Sequence, residues 1–302
     1  MRLISNNIKL LEAPQFKYPY CHCLLIEDDL TCLVDSSPFE SEKDYLKRKH
    51  IDLIINTHGH QDHCLINPDY PSATVYMHKN DHHLVESGEH YLQEFGFDIF
   101  SNNQIRPFFL SAIGYRTRPA DESIENGTII NLGKNIIETI FLPGHCAGHC
   151  GFILPRQGLI FTGDIDLGTF PWYGNVQSSI KDFLSSIQLL MDIKPDGIIT
   201  GHGAGLVTKN LTIKLEKYRD TILFRELEII KLLAQGNNTI EDIAAYYPVY
   251  KKLPQPELVF YLYECMMVLK HLEHLIELDK VIFKSGKYYL KEGVRAHNIN
   301  II

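Results

Sequence analysis

The run Leu53-Ile54-Ile55-Asn56-Thr57-His58-Gly59-His60-Gln61-Asp62-His63 decides how this chain is read. Three apolar residues with strong strand preference lead into a polar turn that carries three imidazoles and one carboxylate within six positions. Gly59 lets the backbone bend sharply between them. Imidazole and carboxylate are borderline donors suited to zinc, iron or manganese, and a turn that sends alternate side chains apart can serve two ions. The plain alternative is a polar loop with chance histidines. Four donors in six residues directly after a strand weigh against it.

Three later segments repeat the grammar of apolar strand, small residue and donor. Ile140-Phe141-Leu142-Pro143-Gly144-His145 offers His145, Leu159-Ile160-Phe161-Thr162-Gly163-Asp164 offers Asp164, and Ile198-Ile199-Thr200-Gly201-His202 offers His202. Strand ends that each deliver one polar group can converge on one rim of a sheet scaffold, where sites are commonly built. Cys64 and Cys146, each directly after a candidate donor, read as small buried residues. His149 reads as a residue that orients a donor or simply packs. His78, His82, His83 and His90 read as surface or supporting groups rather than donors.

This set resembles the metallo-β-lactamase superfamily, with the motif HxHxDH at His58, His60, Asp62 and His63 and its later His, Asp and His motifs at His145, Asp164 and His202. The resemblance covers roughly residues 1–208. It implies an α/β fold, a four-layer αββα sandwich with metals at one edge of the sheets. By position, His58, His60 and His145 would hold one divalent cation, Asp62, His63 and His202 a second, with Asp164 bridging. The cations implied are two zinc ions, with iron or manganese as alternatives. Two such ions about 3.5–4 Å apart acidify a shared water and stabilise a developing oxyanion. Asp62 and Asp164 are the expected catalytic residues, Asp62 orienting the bridging hydroxide or handling its proton.

Organisation along the chain fits that reading. Apolar runs at 8–12, 23–27, 31–35, 53–56, 74–77, 136–142, 151–154 and 159–162 predict strands, with Asp28-Asp29 closing a hairpin. Helical spacing appears at 40–48, 178–191 and 211–233. The pattern predicts two sheets covered by helices. Residues 85–125 lose clear periodicity while gathering aromatics, and read equally as a lid, a binding loop or a helical hairpin with its own small core. After Leu211 the order becomes helix, helix, helix, hairpin. Thr239 and Asp242 predict a capping box, Pro256 opens a helix reaching about Leu278, and Ser285-Gly286 turns a hairpin. The expected division is a catalytic unit at 1–208 and a smaller, mostly helical, winged-helix-like unit at 209–302.

Composition sets outer limits. The 302 residues are 45% hydrophobic and 22% charged, ordinary for a globular protein, with a net charge of -8 that argues against a surface attracting nucleic acid everywhere. The charge is uneven: from Lys209 onward 14 basic residues face 12 acidic ones, against 15 and 25 before it. Seven cysteines in so large a chain read as reduced thiols, and Cys21 and Cys23 as packing residues on one face. No apolar leader or span of about 18 residues stands out, so a cytoplasmic protein without membrane contact is expected.

The substrate is less legible, because one metal site serves many chemistries. The walls are sought in Phe170, Pro171, Trp172 and Tyr173 and in the aromatic stretch. The first reading is hydrolysis of a small ester-like molecule, a thioester or lactone, in the manner of glyoxalase II relatives, although their basic glutathione-binding cluster is absent. The second is an RNA-directed phosphodiesterase, suggested by similarity to β-lactamase-like endoribonucleases; Glu264, Glu273 and Glu277 on the last long helix oppose phosphate contact. The third is a mono-iron oxidoreductase of persulfide dioxygenase type. Flavodiiron proteins usually carry Glu where His60 stands. A small molecule is the expected partner, nucleic acid the less favoured one, and a homodimer is left open.

Overall fold

The structure is a computed structural model that describes residues 1–15, 17–100 and 104–294. Small parts of the 85–125 and 209–302 segments, residues 101–103 and 295–302, therefore lie outside the described residues.

Two sheets face each other. The first has seven strands in chain order: β1 (Arg2–Ser5), β2 (Ile8–Leu11), β3 (Cys23–Glu27), β4 (Thr31–Val34), β5 (Leu53–Ile55), β6 (Thr74–His78) and β7 (Glu122–Ile124). Pairing is antiparallel through β4 and parallel from β4 to β7. The second runs β13-β12-β11-β10-β9-β8, formed by β8 (Ile129–Asn131), β9 (Ile136–Phe141), β10 (Cys150–Leu154), β11 (Leu159–Phe161), β12 (Gly197–Ile199) and β13 (Leu206–Val207).

The strands read as unbroken apolar runs because both faces are covered. In β5, Leu53 and Ile55 point into the core between the sheets, while Ile54 points outward under α1 (Glu40–Leu46). In β11, Leu159 and Phe161 point into the same inner core, while Ile160 packs outward against α6 (Ile180–Ile193). Helix, sheet, sheet and helix are thus four layers. β5, β9, β11 and β12 all end at one rim, and the candidate donors follow those ends.

The rim is closed by two additions. Short helices α2 (Gln61–Cys64), α3 (His82–Glu86), α4 (Gly88–Glu94) and α5 (Arg106–Ala112) follow the first motif. The 85–125 segment is therefore helical, and Tyr91, Phe95, Phe97 and Phe109 form an aromatic cluster completed by Leu262 and Met266 from far downstream. The helices of this segment do not enclose a core of their own but share one with the downstream helix.

The C-terminal part contains α7 (Leu211–Ala234), α8 (Ile240–Ala244), α9 (Glu257–Glu277) and the hairpin β14 (Val281–Lys284) with β15 (Lys287–Leu290). The capping box at Thr239 and Asp242 is formed. One hydrophobic cluster crosses residue 208, joining Ile160 and Phe183 to Tyr218, Ile222, Met267 and Leu272. Glu264 is fully buried and accepts the Val249 and Tyr250 N–H groups at 2.9 and 2.8 Å. It faces inward, so it cannot repel phosphate in solvent as its sequence position suggests. Among the described residues, no helix is long and apolar enough to cross a membrane.

Candidate metal centre

The seven side chains singled out in the sequence, from four separate stretches that follow strand ends, meet at the rim. His58 Nε2, His60 Nδ1 and His145 Nε2 form a triangle with sides of 3.0, 3.0 and 3.3 Å. A second group lies beside it: His63 Nε2 and His202 Nε2 are 3.2 Å apart, and Asp62 Oδ2 is 3.4 Å from His202 Nε2. Asp164 stands between them, with Oδ1 3.1 Å from His63 Nε2 and Oδ2 3.4 Å from His145 Nε2.

Hydrogen bonds behind the rings fix what each nitrogen can offer. His58 Nδ1–H donates to Thr57 Oγ1 at 2.9 Å, whose own hydroxyl donates to Asp35 Oδ2 at 2.9 Å. His60 Nε2–H donates to Asn175 Oδ1 at 2.6 Å, and Asn175 Nδ2 in turn donates to the Glu94 carbonyl. His145 Nδ1–H donates to the Trp172 carbonyl at 2.9 Å. All three protons are committed outward, so three lone pairs face one another at about van der Waals contact or closer. Neutral imidazoles arranged this way repel unless a cation sits among them. A tetrahedral ion at about 2.0–2.1 Å from nitrogen sets neighbouring donors about 3.3–3.4 Å apart, close to the spacing observed. His63 is held likewise by Asp35, its Nδ1–H donating to Oδ2 at 2.7 Å. Asp164 Oδ1 is buried and has no hydrogen-bond partner among the described residues. The cluster fits divalent metal ions.

Electrostatics point the same way. Burial, then the charges of the neighbouring imidazoles, drives His58 well below the usual histidine range. Burial also lowers His145 well below that range, against the pull of Asp164. Burial resists ionisation of Asp62, yet the His202 hydrogen bond and the His63 and His202 charges prevail and hold this carboxyl down at about 2. Asp164 is likewise held well below the carboxylate range by His63, His202 and His145 despite its burial. His58 and His145 are thus in the neutral form, and both carboxyls in the ionised form, that bind metal, whereas His63 and His202, raised against their burial by Asp164 and the carboxylates beside them, must release a proton to do so.

Supporting residues were only partly visible in the sequence. His149 donates Nδ1–H to the Leu142 carbonyl at 2.8 Å and accepts the Asp164 N–H at Nε2 at 3.1 Å, so it anchors the backbone that carries Asp164. His78 stacks on Phe141, His82 reaches the Met77 carbonyl and His83 lies near Glu94, all away from the cluster. Cys64 and Cys146 are buried. Asp35, Asn175 and Asp81 were missed. Asp81 accepts the Gly59 and Gly148 N–H groups at 2.9 and 2.6 Å, pinning the first motif to the turn after His145. Asp35 had a signal, because Leu33-Val34-Asp35 repeats the strand-then-carboxylate pattern of Phe161 to Asp164. Asn175 had none.

Above the donors lies a cavity of about 430 Å³, with His60, Asp62, His145 and Asp164 on its floor. Tyr91, Phe95 and Phe109 line it together with Val259, Phe260 and Tyr263 of α9. A second chamber of about 290 Å³ opens on the His202 side and shares Tyr18, Asp62, Trp172, Phe260 and Tyr263 with the first. Of the four aromatic-loop candidates, Trp172 is the wall. Tyr173 is fully buried in the core, and Phe170 packs on Tyr250 at the second chamber. Arg225 of α7 holds this loop by donating to the Pro171 carbonyl at 2.6 Å and the Tyr173 hydroxyl at 3.0 Å.

With the geometry in hand, comparison with known proteins is informative. The family described as the metallo-beta-lactamase superfamily matches residues 19–202. An atrochrysone carboxyl ACP thioesterase of Pseudocercospora fijiensis (strain CIRAD86) is 28% identical over 196 residues, 64% of this chain and 47% of its own. A beta-lactamase-like protein 2 homolog of Caenorhabditis elegans is 28% identical over 161 residues, 51% of this chain and 52% of its own. The chain spans about half the length of these curated relatives. A crystal structure of a metallo-beta-lactamase family protein from Thermus thermophilus aligns with a TM-score of 0.73 at 18% identity, over 96% of this chain and 100% of that one. The likeness in fold therefore runs on through the C-terminal helices. The family match covers more than half of the sequence, and this chain belongs to the metallo-beta-lactamase superfamily.

Proposed function

We propose that the protein is a binuclear metal-dependent hydrolase acting on a small ester-like substrate, a thioester or lactone. His58, His60 and His145 are read as the ligands of one ion, Asp62, His63 and His202 as those of the other, and Asp164 as the bridge. Zinc is the proposed metal, iron or manganese being the outcomes of metal analysis that would replace it. The observation that carries the reading is the triangle of imidazole nitrogens whose protons are all committed elsewhere. Bound divalent cations supply an acidified water and an electrophilic pull on the substrate carbonyl.

The chain's own groups do the rest. Asp62 lines both chambers. A carboxyl held at about 2 stays ionised at neutral pH, which suits orienting the attacking water more than storing its proton. The water oxygen ends in the product carboxylate, the acyl–sulfur or acyl–oxygen bond breaks, and the proton leaves with the thiol or alcohol. The aromatic walls exclude bulk water. In this reading residues 1–208 carry the chemistry, and 209–302, read as a winged-helix-like module, supplies a wall. The seven free, buried cysteines support a reducing, cytoplasmic setting.

An RNA substrate is less well served. The middle of α9 is buried through Leu262, Met266, Met267 and Leu272, and Lys17 is the one Lys or Arg side chain lining either chamber among the described residues. The test is metal quantitation on the purified protein, then turnover of thioester, lactone and phosphodiester substrates, with Asp164→Ala as the control. Two ions per chain and ester hydrolysis abolished in the variant are expected. A single iron with oxygen consumption, or an equally active variant, overturns the reading.

A further inference from the structure

We infer that the larger chamber is an acyl-group site for an apolar chain or ring of about six or more carbons, its length limit set by α9. The inference rests on the hydrolase reading for which bond reacts, and on the chamber itself for what is held.

Apart from the donors on its floor, the chamber carries no charged side chain among the residues that line it. Two of its three phenols have hydroxyls already engaged. Tyr91 accepts the Gln61 N–H, and Tyr18 donates to the Ile113 carbonyl. Beyond the Tyr91 and Tyr263 hydroxyls and Gln255, a polar substituent placed there would lose water without gaining a partner, which costs about 1–3 kcal/mol. An apolar group of matching size gains instead. At about 430 Å³ the space lies in the lower part of the ~300–1,000 Å³ range that encloses small-molecule ligands.

Orientation follows from the second chamber. Lys17 lies there and not in the first. A substrate with a charged end finds its counter-ion on the His202 side, which directs the apolar acyl part under Phe95 and Trp172 and the departing group past Lys17. The carbonyl between them then lies over Asp62 and Asp164. Val259, in the first turn of α9 and half-buried, lines the chamber beside the cluster of Phe95 and Phe109 that it packs against, and is the α9 residue to which the length limit is assigned.

Trp172 is the only tryptophan in the chain and lines both chambers, so its fluorescence reports occupancy without any turnover. Acetate, hexanoate and decanoate are titrated against the metal-loaded protein, and thioesters of the same acids are assayed in parallel. Each buried methylene is expected to tighten binding about fourfold, the equivalent of ~0.8 kcal/mol, until the chamber is full. kcat/KM for the thioesters should climb with the same slope. Val259→Phe should move the plateau to shorter chains and Val259→Ala to longer ones. Affinities that ignore chain length, or a plateau indifferent to both Val259 variants, overturn the inference. So does inorganic pyrophosphate outcompeting decanoate. A clear binding ladder with no hydrolysis would instead leave the acyl site standing and remove the hydrolase reading.

Discussion

Gly144, just before His145, offers a sharp test of how the rim is built. Its φ is +126°, and a Cβ added there would lie 2.3 Å from both the N and Cα of Phe183 in the first turn of α6. The colliding atoms are helix backbone, so no side-chain rotation relieves them. Gly144 also accepts the Ser179 N–H at 3.1 Å, at the residue that caps α6. Gly144→Ala must therefore strain the turn, at about 1–3 kcal/mol, and displace packed backbone, at about another 1–3 kcal/mol. A total of about 2–6 kcal/mol is a large share of an ordinary domain's stability. Gly127 is the control: its φ is +79°, but a Cβ there meets nothing within 4 Å. Gly127→Ala should cost only the left-handed backbone penalty, about 1–2 kcal/mol. Urea unfolding of both variants, with metal content measured on the folded protein, separates the two costs. Gly144→Ala should also retain less metal, because the turn that moves carries His145. If it is no less stable than Gly127→Ala and fully metallated, the close approach of α6 to this turn is not what places His145.

Other expectations concern the groups behind the donors. Asp35→Asn keeps one acceptor oxygen where three donors converge, the Thr57 N–H, the Thr57 hydroxyl and His63 Nδ1–H; metal affinity, measured by chelator competition, should fall about 10–100-fold, and an unchanged affinity would contradict the role given to Asp35. Stripping the metals should abolish turnover and lower thermal stability, by about 4 kcal/mol when the ion had been present at about 1,000 times its Kd; chelated protein with full activity would end the hydrolase proposal. Burial disfavours the Glu226 carboxylate, but the His271 ring 3.6 Å away and the hydrogen bond from His274 at 2.6 Å hold it down at about 2 from an ordinary 4.5. Because the folded value is the lower one, the stabilisation is complete above 4.5 and is lost as pH falls towards 2, on the order of 3 kcal/mol. Burial lowers His271, so acid also opposes folding below 6.5 at that ring. The gap in unfolding free energy between wild type and Glu226→Gln should thus narrow from pH 5 to pH 3, and a gap independent of pH would refute the assignment.

The sequence showed the donors because each follows a strand and a small residue, a local pattern. The central strands were equally legible, because burial on both faces leaves runs such as Leu53 to Ile55 and Leu159 to Phe161 unbroken; the short edge strands β1, β7 and β13 were not. The helices α4 and α5 were not: their apolar residues serve an aromatic cluster shared with α9, so the spacing within the segment alone does not mark one buried face. Asn175 escaped notice because nothing around a lone Asn-Val-Gln foretells that His60 lies 2.6 Å away. Phe109 and Val259 belong to segments that look independent in sequence, and only the fold brings both to the lining of one cavity. Glu264 misled because a helical wheel cannot show which neighbours a charged residue caps.

The division of labour at the rim has an evolutionary consequence. The candidate donors come from the strand ends, but part of the cavity lining above them is lent by α9, encoded far downstream. Drift in that helix can retailor what the enzyme accepts while leaving its reacting centre untouched, so kindred proteins with identical donors but different tails need not share a diet.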